Sequence, residues 1–243
     1  MVWYLPYHTI SRHGDPKREA KPRIIFFTHP PFALLLCYCY LCHPSFSHGM
    51  LSRLYSANNG ILRQKLSLVQ TMVNRFGQAE AEAAYRKVCP VVGATMGQHI
   101  RHSMDHIERA IDATSHPEAS QIHYDLRKRG SLDEHDMVAA QARIAKVSKV
   151  LENITDSDSY IPVMDHRVQA CFMLTGDDEK EFALPSTAAR ELGFAVHHAI
   201  HHMAMVRIIC LQTLKMPESD LPASLGKAPS TQNYERRHNS VAQ

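Results

Sequence analysis

Apolar residues recur at three- and four-residue steps in four stretches of the chain, which is the period of an amphipathic helix. In the first stretch, the Asn-Asn-Gly sequence at 58–60 predicts a break, which leaves a main helix over 60–76. The second stretch begins with a capping box, in which Thr95 caps the helix and Gln98 reaches back. We expect this helix to end at Ser115.

A polar segment and a third helix follow. The segment Gln121–Gly130 is predicted to form a structured loop, because it lacks an apolar period. Ser131 and Glu134 have the spacing of another capping box, which starts a helix that continues to about Asn153.

A hairpin is predicted before the fourth helix. Two short β-prone runs flank a Gly/Asp turn at 175–178. Ser186 or Thr187 caps the fourth helix, which continues to about Lys215. The fold class predicted is therefore all-α, a four-helix bundle with long connections and a small β-hairpin between helices 3 and 4.

The pattern divides the chain into three segments. Residues 1–50 form an N-terminal extension that we expect to be disordered, 51–216 form the bundle, and 217–243 form an irregular tail. The apolar run Phe32–Cys42 raises the alternative of a signal or membrane anchor, but it is too short to span a membrane. Six cysteines in a chain of 243 residues favour free thiols in a reducing compartment, so we expect a cytoplasmic protein.

Composition excludes few functions. The net charge is +3, and the basic residues are not interleaved with aromatic ones, so nucleic acid is not an expected partner. Histidine is the exception, with 17 residues. Seven of them lie in two short windows, one on the second predicted helix and one on the fourth: His99, His102, His106, His197, His198, His201 and His202.

Histidine spacing on the fourth helix suits a metal ion. His198 and His202 are four residues apart and share a helix face, as do His197 and His201. Two imidazoles at this spacing can bind one metal ion, and the second helix supplies a third. Three neutral imidazoles with an open position are typical of a catalytic zinc site. The chain has no HExxH glutamate, so peptidase chemistry is not predicted.

A helical wheel selects between these histidines only in part. On the fourth helix, His198 and His202 border the apolar stripe. On the second helix, the wheel favours His99 and His106 over His102. The alternative interpretation is that the histidines lie at the surface or bond carbonyl groups in the core.

Four sequence segments resemble one family. Thr95–His106 (TMGQHIRHSMDH) resembles the SIGQHxRHxxDH signature of a branch of the DinB-like metalloenzymes. Tyr124–Arg129 (YDLRKR) resembles the YDxRxR loop of that branch, and Ser186–Ala204 resembles its ST…REL…SHTxHHxA helix. Gly226–Thr231 resembles its GxAPST tail. Together, the matches cover more than half of the chain.

The resemblance implies a four-helix bundle that binds a divalent metal through His102, His198 and His202. This ligand set agrees with the helical wheel on the fourth helix, at His198 and His202. It differs from the wheel on the second helix, where it selects His102. Two positions depart from the family pattern, with His197 in place of a serine and Met203 in place of an aromatic residue. These differences bear on the shape of the pocket.

The function implied is a metal-dependent enzyme, because some relatives are similar to thiol-dependent transferases or isomerases. We expect a transferase or hydrolase that acts on a small molecule, with a low-molecular-weight thiol as cosubstrate. Zinc is the expected ion, and nickel or iron also suits imidazole. One alternative is a non-catalytic metal-binding or stress-response module. Another is a structural bundle that forms a homodimer, with incidental histidines.

Further residues receive candidate roles around this site. His99, His106 and His201 would orient the ligands from behind, and His201 or His99 would act as a general base. An arginine of the 124–129 loop would bind an anionic group of the substrate; a structural salt-bridge cluster is the alternative. The loop residues concerned, with Arg127 also a catalytic candidate, are Tyr124, Asp125, Arg127 and Arg129.

Overall fold

Helices make up most of the computed structural model, which describes residues 44–116, 121–126, 129–156 and 166–239. These residues belong to one compact unit, His43–Gln243. The helices are α1 (Pro44–Phe76), α2 (Gln78–Tyr85), α3 (Met96–Ser115), α4 (Leu132–His135), α5 (Met137–Asp156), α6 (Ala188–Ile208) and α7 (Pro229–Asn239). A π-helical turn, Ile209–Thr213, extends α6, and a 3₁₀ turn covers Glu218–Asp220. The strands are β1 (Gln121–His123), β2 (Arg167–Phe172) and β3 (Phe182–Thr187).

Helix α1 is continuous, so the break predicted at its Asn-Asn-Gly sequence is wrong. The side chains of Asn58 and Asn59 are buried and bonded. Asn58 Nδ2 donates to the carbonyl oxygens of Leu54 at 2.9 Å and Leu192 at 3.3 Å. Asn59 Oδ1 accepts from Ser148 Oγ at 2.5 Å. Because each amide has a partner on a neighbouring helix, the two asparagines are held by packing and do not interrupt α1.

The capping box predicted for α3 is confirmed, since Gln98 N donates to Thr95 Oγ1 at 3.1 Å and Thr95 N donates to Gln98 Oε1 at 2.9 Å. The box predicted at Ser131 is wrong, because the Ser131 side chain makes no cap bond. The third predicted helix is instead two helices, α4 and α5. The second of them is capped by Asp136, whose Oδ1 accepts from Ala139 N at 2.9 Å.

An ion-pair network fastens α3 to α4 and α5. Arg143 of α5 contacts Glu108 at 2.5 Å, Asp105 at 2.8 Å and Asp133 at 2.6 Å. Arg101 contacts Asp105 and, at 2.9 Å, the Glu134 carboxylate. Glu134 Oε2 also accepts from Gly130 N at 3.1 Å, and not from Ser131 N as the predicted capping box requires.

The predicted hairpin is confirmed, but it is part of a three-stranded sheet. Strands β2 and β3 pair antiparallel, and β1 pairs parallel to β2, in the order β1-β2-β3. The loop predicted over 121–130 therefore begins as a strand. The protein is mostly helical with this small sheet, rather than all-α.

The core lies between the long helices. Helix α6 packs against α3 and α1, and α1 also packs against α5. The segment Ala188–Thr213 is long and apolar enough to cross a membrane. A core helix of a soluble protein has the same composition, so this finding assigns no location.

Both ends of the described chain differ from the segments predicted. Helix α1 begins at Pro44, inside the predicted N-terminal extension, and residues 1–43 lie outside the described residues. The tail after 216 is not irregular, because it contains α7. Gly226, with a φ of 66°, lies so close to α6 that a Cβ there would be 2.6 Å from Ala204 Cα. A side chain is excluded, so the tail packs closely against α6.

Candidate metal centre

Helices α3 and α6 bring together the three histidines that the sequence motif indicated. His102 lies on α3, and His198 and His202 lie one turn apart on α6. His198 Nε2 is 3.0 Å from His102 Nε2 and 3.1 Å from His202 Nε2. The rings of His102 and His202 are nearly perpendicular, with centroids 4.5 Å apart.

Hydrogen bonding cannot satisfy both contacts of His198 Nε2. An imidazole nitrogen has a single position in the ring plane, which holds either a proton or one lone pair. It can therefore form one good in-plane hydrogen bond, whereas His198 Nε2 has two nitrogen neighbours near 3 Å. A cation between the three nitrogens would accept a lone pair from each of them.

The spacing of these nitrogens is close to that of zinc ligands. Imidazole nitrogens lie about 2.0–2.1 Å from a tetrahedral zinc ion, which sets two of them about 3.3 Å apart. The distances of 3.0 and 3.1 Å around His198 therefore need only a small expansion. Both nitrogen pairs that share His198 therefore have spacings that suit a shared divalent ion.

A second set of three histidines shares two of these residues. The ring nitrogens of His102, His106 and His198 lie within 4.8 Å of one another. However, His106 stacks on His198, with centroids 3.9 Å apart and 29° between the ring planes. This stacking supports the His198 ring, and His106 is a second candidate for the third ligand beside His202.

His106 belongs to a column of four stacked rings. His198 stacks on His106, His106 on Tyr124 with centroids 4.5 Å apart, and Tyr124 on Phe172 at 4.8 Å. Phe194 lies at the side of the column, 5.5 Å from His198. The column connects a candidate ligand to the sheet, so the sheet helps to set the orientation of the His198 ring.

Glu191 anchors this column, and the sequence indicated no role for it. Its carboxylate is fully buried and accepts from Tyr124 Oη at 2.9 Å, Ser186 Oγ at 2.5 Å and Arg190 at 2.7 Å. Burial, with the nearby Glu191 carboxylate, raises the pKa of Tyr124 above its usual value, so the hydroxyl remains a donor. The REL motif was the available signal, because it places a glutamate one turn into α6.

His99 contacts the candidate ligand His202 from behind. The Nδ1 atoms of the two rings are 2.9 Å apart. If the Nε2 lone pair of His202 faces an ion, then its Nδ1 carries the proton and donates to His99 Nδ1. His201 is exposed, with its ring 5.3 Å from that of His202, and His197 is also exposed.

Burial keeps His99, His106 and His202 neutral. It lowers the pKa of His202 to about 2 and that of His106 to about 3, and His198 adds to both effects. Burial also lowers the pKa of His99. Neutral imidazole is the form that binds a metal, so the lone pairs of these rings are available near neutral pH.

The predicted substrate loop is only partly open to solvent. Tyr124 is fully buried in the ring column. Asp125 Oδ2 accepts from Met173 N at 2.8 Å, which fastens the loop to the residue after β2. Arg129 is exposed, and Arg127 lies outside the described residues.

Comparisons with known proteins do not assign a family. No protein-family model matches the chain, and no solved structure matches it significantly. The chain is similar to a protein named FK506-binding protein 5 from Rhizopus delemar, with 30% identity over 110 residues. The match covers 45% of this chain and 26% of that protein, so the chain spans about a quarter of the length of its relative.

Proposed function

We propose that this protein is a DinB-like four-helix bundle whose His102, His198 and His202 bind a divalent metal ion for catalysis. The observation that carries the proposal is the position of His198 Nε2, 3.0 and 3.1 Å from two other imidazole nitrogens. One proton position on that atom cannot serve both neighbours. Zinc is the ion that this donor set favours, and nickel or iron also suits it.

The reaction proposed is transfer of a thiol, or of water, to a small electrophilic substrate. A bound divalent ion would supply a positive charge that lowers the pKa of a thiol or a water molecule toward neutrality. His102, His198 and His202 would hold the ion through three neutral imidazoles, and the ion would supply Lewis acidity to the nucleophile. A low-molecular-weight thiol is the cosubstrate that we infer.

The surrounding residues hold the three imidazoles in place. His99 Nδ1 would accept a hydrogen bond from His202 Nδ1, and His106 stacks on His198, so each candidate ligand of α6 has a supporting ring. His201 is exposed beside His202 and is placed to exchange a proton with solvent or substrate. Arg129, which is exposed after the 124–126 loop, is the described arginine that we assign to an anionic group of the substrate.

Elemental analysis of the full chain, purified without a histidine tag, tests the metal site. We expect His202→Ala to lose one equivalent of divalent metal relative to the unmodified chain. His106→Phe, which keeps a ring in the stacked column, is the matched variant and should retain that equivalent. The opposite pattern would replace His202 by His106 in the ligand set. Retention of all metal by both variants would contradict the proposed site.

A thiol-transfer assay separates an enzyme from a non-catalytic metal-binding module. Glutathione, cysteine and coenzyme A would each be offered with an activated aryl halide, with and without a chelator. We expect turnover that depends on metal and disappears in His202→Ala. Thiol transfer is contradicted if, with every one of the three thiols, the metal-loaded chain turns over no faster than His202→Ala. In that case a module that stores or senses a metal ion is the better interpretation.

A further inference from the structure

A second group of metal-binding side chains lies on the three-stranded sheet. His123, Cys171 and Glu181 each offer one ligand atom, and these atoms lie within 4.8 Å of one another. His123 is the register partner of Cys171 across β1 and β2. Cys171 pairs with Ala183 across β2 and β3, so Glu181, two residues earlier, is its diagonal neighbour on the same face.

This face of the sheet is opposite to the one that supports the candidate metal centre. Side chains alternate between the faces of a strand. Ile122, Val168 and Ala170 pack with Tyr124 in a buried apolar cluster, on the side of the ring column. His123 and Cys171 alternate with these residues, so the second group is separated from the first by the sheet.

The second group has one half-exposed member and two buried ones. The Glu181 side chain is 3% exposed, and its Oε1 accepts from the backbone nitrogens of Asp125 at 2.6 Å and Leu126 at 3.0 Å. Cys171 is 3% exposed and is a free thiol. The His123 side chain is 45% exposed. Two fixed donors with an adaptable third, open to solvent on one side, would admit an ion without rearrangement of the backbone.

We propose that His123, Cys171 and Glu181 form a second site for zinc, distinct from the three-histidine centre. Thiolate, imidazole and carboxylate are the three protein ligands that zinc uses. Binding breaks the S–H bond of Cys171, forms a bond from sulfur to zinc, and releases the proton to solvent. The fourth position is left to water.

The ion would replace an existing contact. His123 Nδ1 now lies 2.5 Å from Glu181 Oε2, which is a hydrogen bond with no space for an ion between the two atoms. The His123 ring is 45% exposed, so it would have to turn away from Glu181 to admit an ion. An ion pair that only fastens β1 to the hairpin is the competing account, and it requires nothing of Cys171.

Cobalt(II) binding distinguishes the two accounts, because a thiolate bound to cobalt gives a sulfur-to-metal charge-transfer band that imidazole and carboxylate do not give. The full chain would carry serine at Cys37, Cys39 and Cys42, which removes the other cluster of thiols. We expect the band in this background. We expect the band to disappear when Cys171→Ser is added.

Two further variants keep the thiol and test its neighbours. Titration of the charge-transfer band gives the affinity for cobalt. His123→Ala and Glu181→Gln should each lower this affinity by about 10-fold or more. Gln169→Ala, at an exposed neighbour on β2, should leave it unchanged. His202→Ala should also leave the thiol band unchanged, so the failure of one site is measured separately from the failure of the other.

The result that would overturn the second site needs only the folded background protein. Absence of a charge-transfer band at saturating cobalt, in protein with an unchanged circular dichroism spectrum, would leave Cys171 unbound. Persistence of the band after Cys171→Ser would assign it to another thiol and would overturn the site equally.

Discussion

Single residues set the properties of the candidate metal centre. His198 contacts both other candidate ligands through one atom, Nε2, while its ring face rests on His106. The same side chain thus has its lone-pair edge directed to the site and its face supported by the sheet through Tyr124. Neither contact involves a residue close to His198 in sequence, except His202.

At this scale, we predict that His99→Ala weakens metal binding by about 10- to 100-fold, which is the usual effect of removing a partner behind a histidine ligand. His202 would lose the acceptor for its Nδ1 proton and with it the fixed orientation of its ring. Competition with a chromophoric zinc chelator measures the affinity. His201→Ala, which removes an exposed ring next to the same ligand, should change the affinity less than about twofold.

Lys65 is a buried charge that the proposed function does not use. It is fully buried on α1, and its Nζ has no hydrogen-bond partner within the described ranges. Burial lowers its pKa to about 7, and the positive charge of Arg143 adds to the effect. The folded protein therefore binds this proton less tightly than the unfolded chain.

We predict that the free energy of unfolding contains a term from Lys65 that rises with pH between about 7 and 10.5. In this window the unfolded chain holds the proton and the folded protein does not, so protonation favours unfolding by about 1.4 kcal/mol per pH unit. Urea unfolding at pH 7 and pH 9 should show a term of about 2–3 kcal/mol that is absent in Lys65→Met. The exposed-site variant Lys149→Met should keep that term; equal pH dependence in all three proteins would contradict the prediction.

Among the elements, α1 and α3 differ in the space that surrounds a glycine. At Gly60, in the continuous α1, an added Cβ would meet nothing within 4 Å. At Gly97, in the first turn of α3, it would lie 2.1 Å from the Glu134 carbonyl oxygen and 2.7 Å from Tyr85 Cε1. Helix α4 therefore approaches the start of α3 so closely that only glycine fits.

The contrast predicts opposite signs for the same substitution. Gly60→Ala should stabilise the protein by about 0.5–1 kcal/mol, because alanine loses less conformational entropy in a helix. Gly97→Ala should destabilise it by about 1–3 kcal/mol, because backbone must move to admit the methyl group. Chemical denaturation of both variants measures the difference. Stabilisation by Gly97→Ala would contradict the close approach of α4 to the start of α3.

For the whole molecule, metal binding at the proposed site would be coupled to folding, because the proposed ligands come from α3 and α6 and converge only in the folded state. An ion at about 100 times its dissociation constant adds about 2.7 kcal/mol to stability. In a domain of this size, that corresponds to about 5–10 °C in Tm.

We therefore predict that a chelator lowers Tm by about this amount and that added zinc restores it. In His202→Ala the chelator should lower Tm less than in the unmodified chain, because only the second proposed site on the sheet would still hold zinc. Differential scanning calorimetry on the full chain provides the measurement, and His201→Ala is the matched control that should keep the shift. An unchanged Tm of the unmodified chain under a chelator that removes all its metal would contradict the coupling. The homodimer stays a prediction. Light scattering on the same samples measures the molar mass in solution and tests it.

Local patterns were sufficient for features that depend on a few neighbouring residues. The capping box of α3, the hairpin of β2 and β3, and the pairing of His198 with His202 all follow from spacings of two to four residues. Such spacings have nearly the same geometry in any helix or turn, so they can be recognised without the fold.

Features that depend on helix crossing could not be recognised in this way. The wheel placed His106 nearer the core than His102, and His106 is indeed more buried, yet His102 Nε2 is the nitrogen beside His198 Nε2. A wheel measures distance from the apolar stripe of one helix, whereas a ligand position depends on the angle and offset between α3 and α6. The continuity of α1 and the anchoring of Tyr124 by Glu191 likewise depend on partners 134 and 67 residues away. Contacts over such separations exist only after the helices and the sheet have packed. Histidine spacing along the chain could therefore indicate a metal site, but only the tertiary structure could show which side chains surround it.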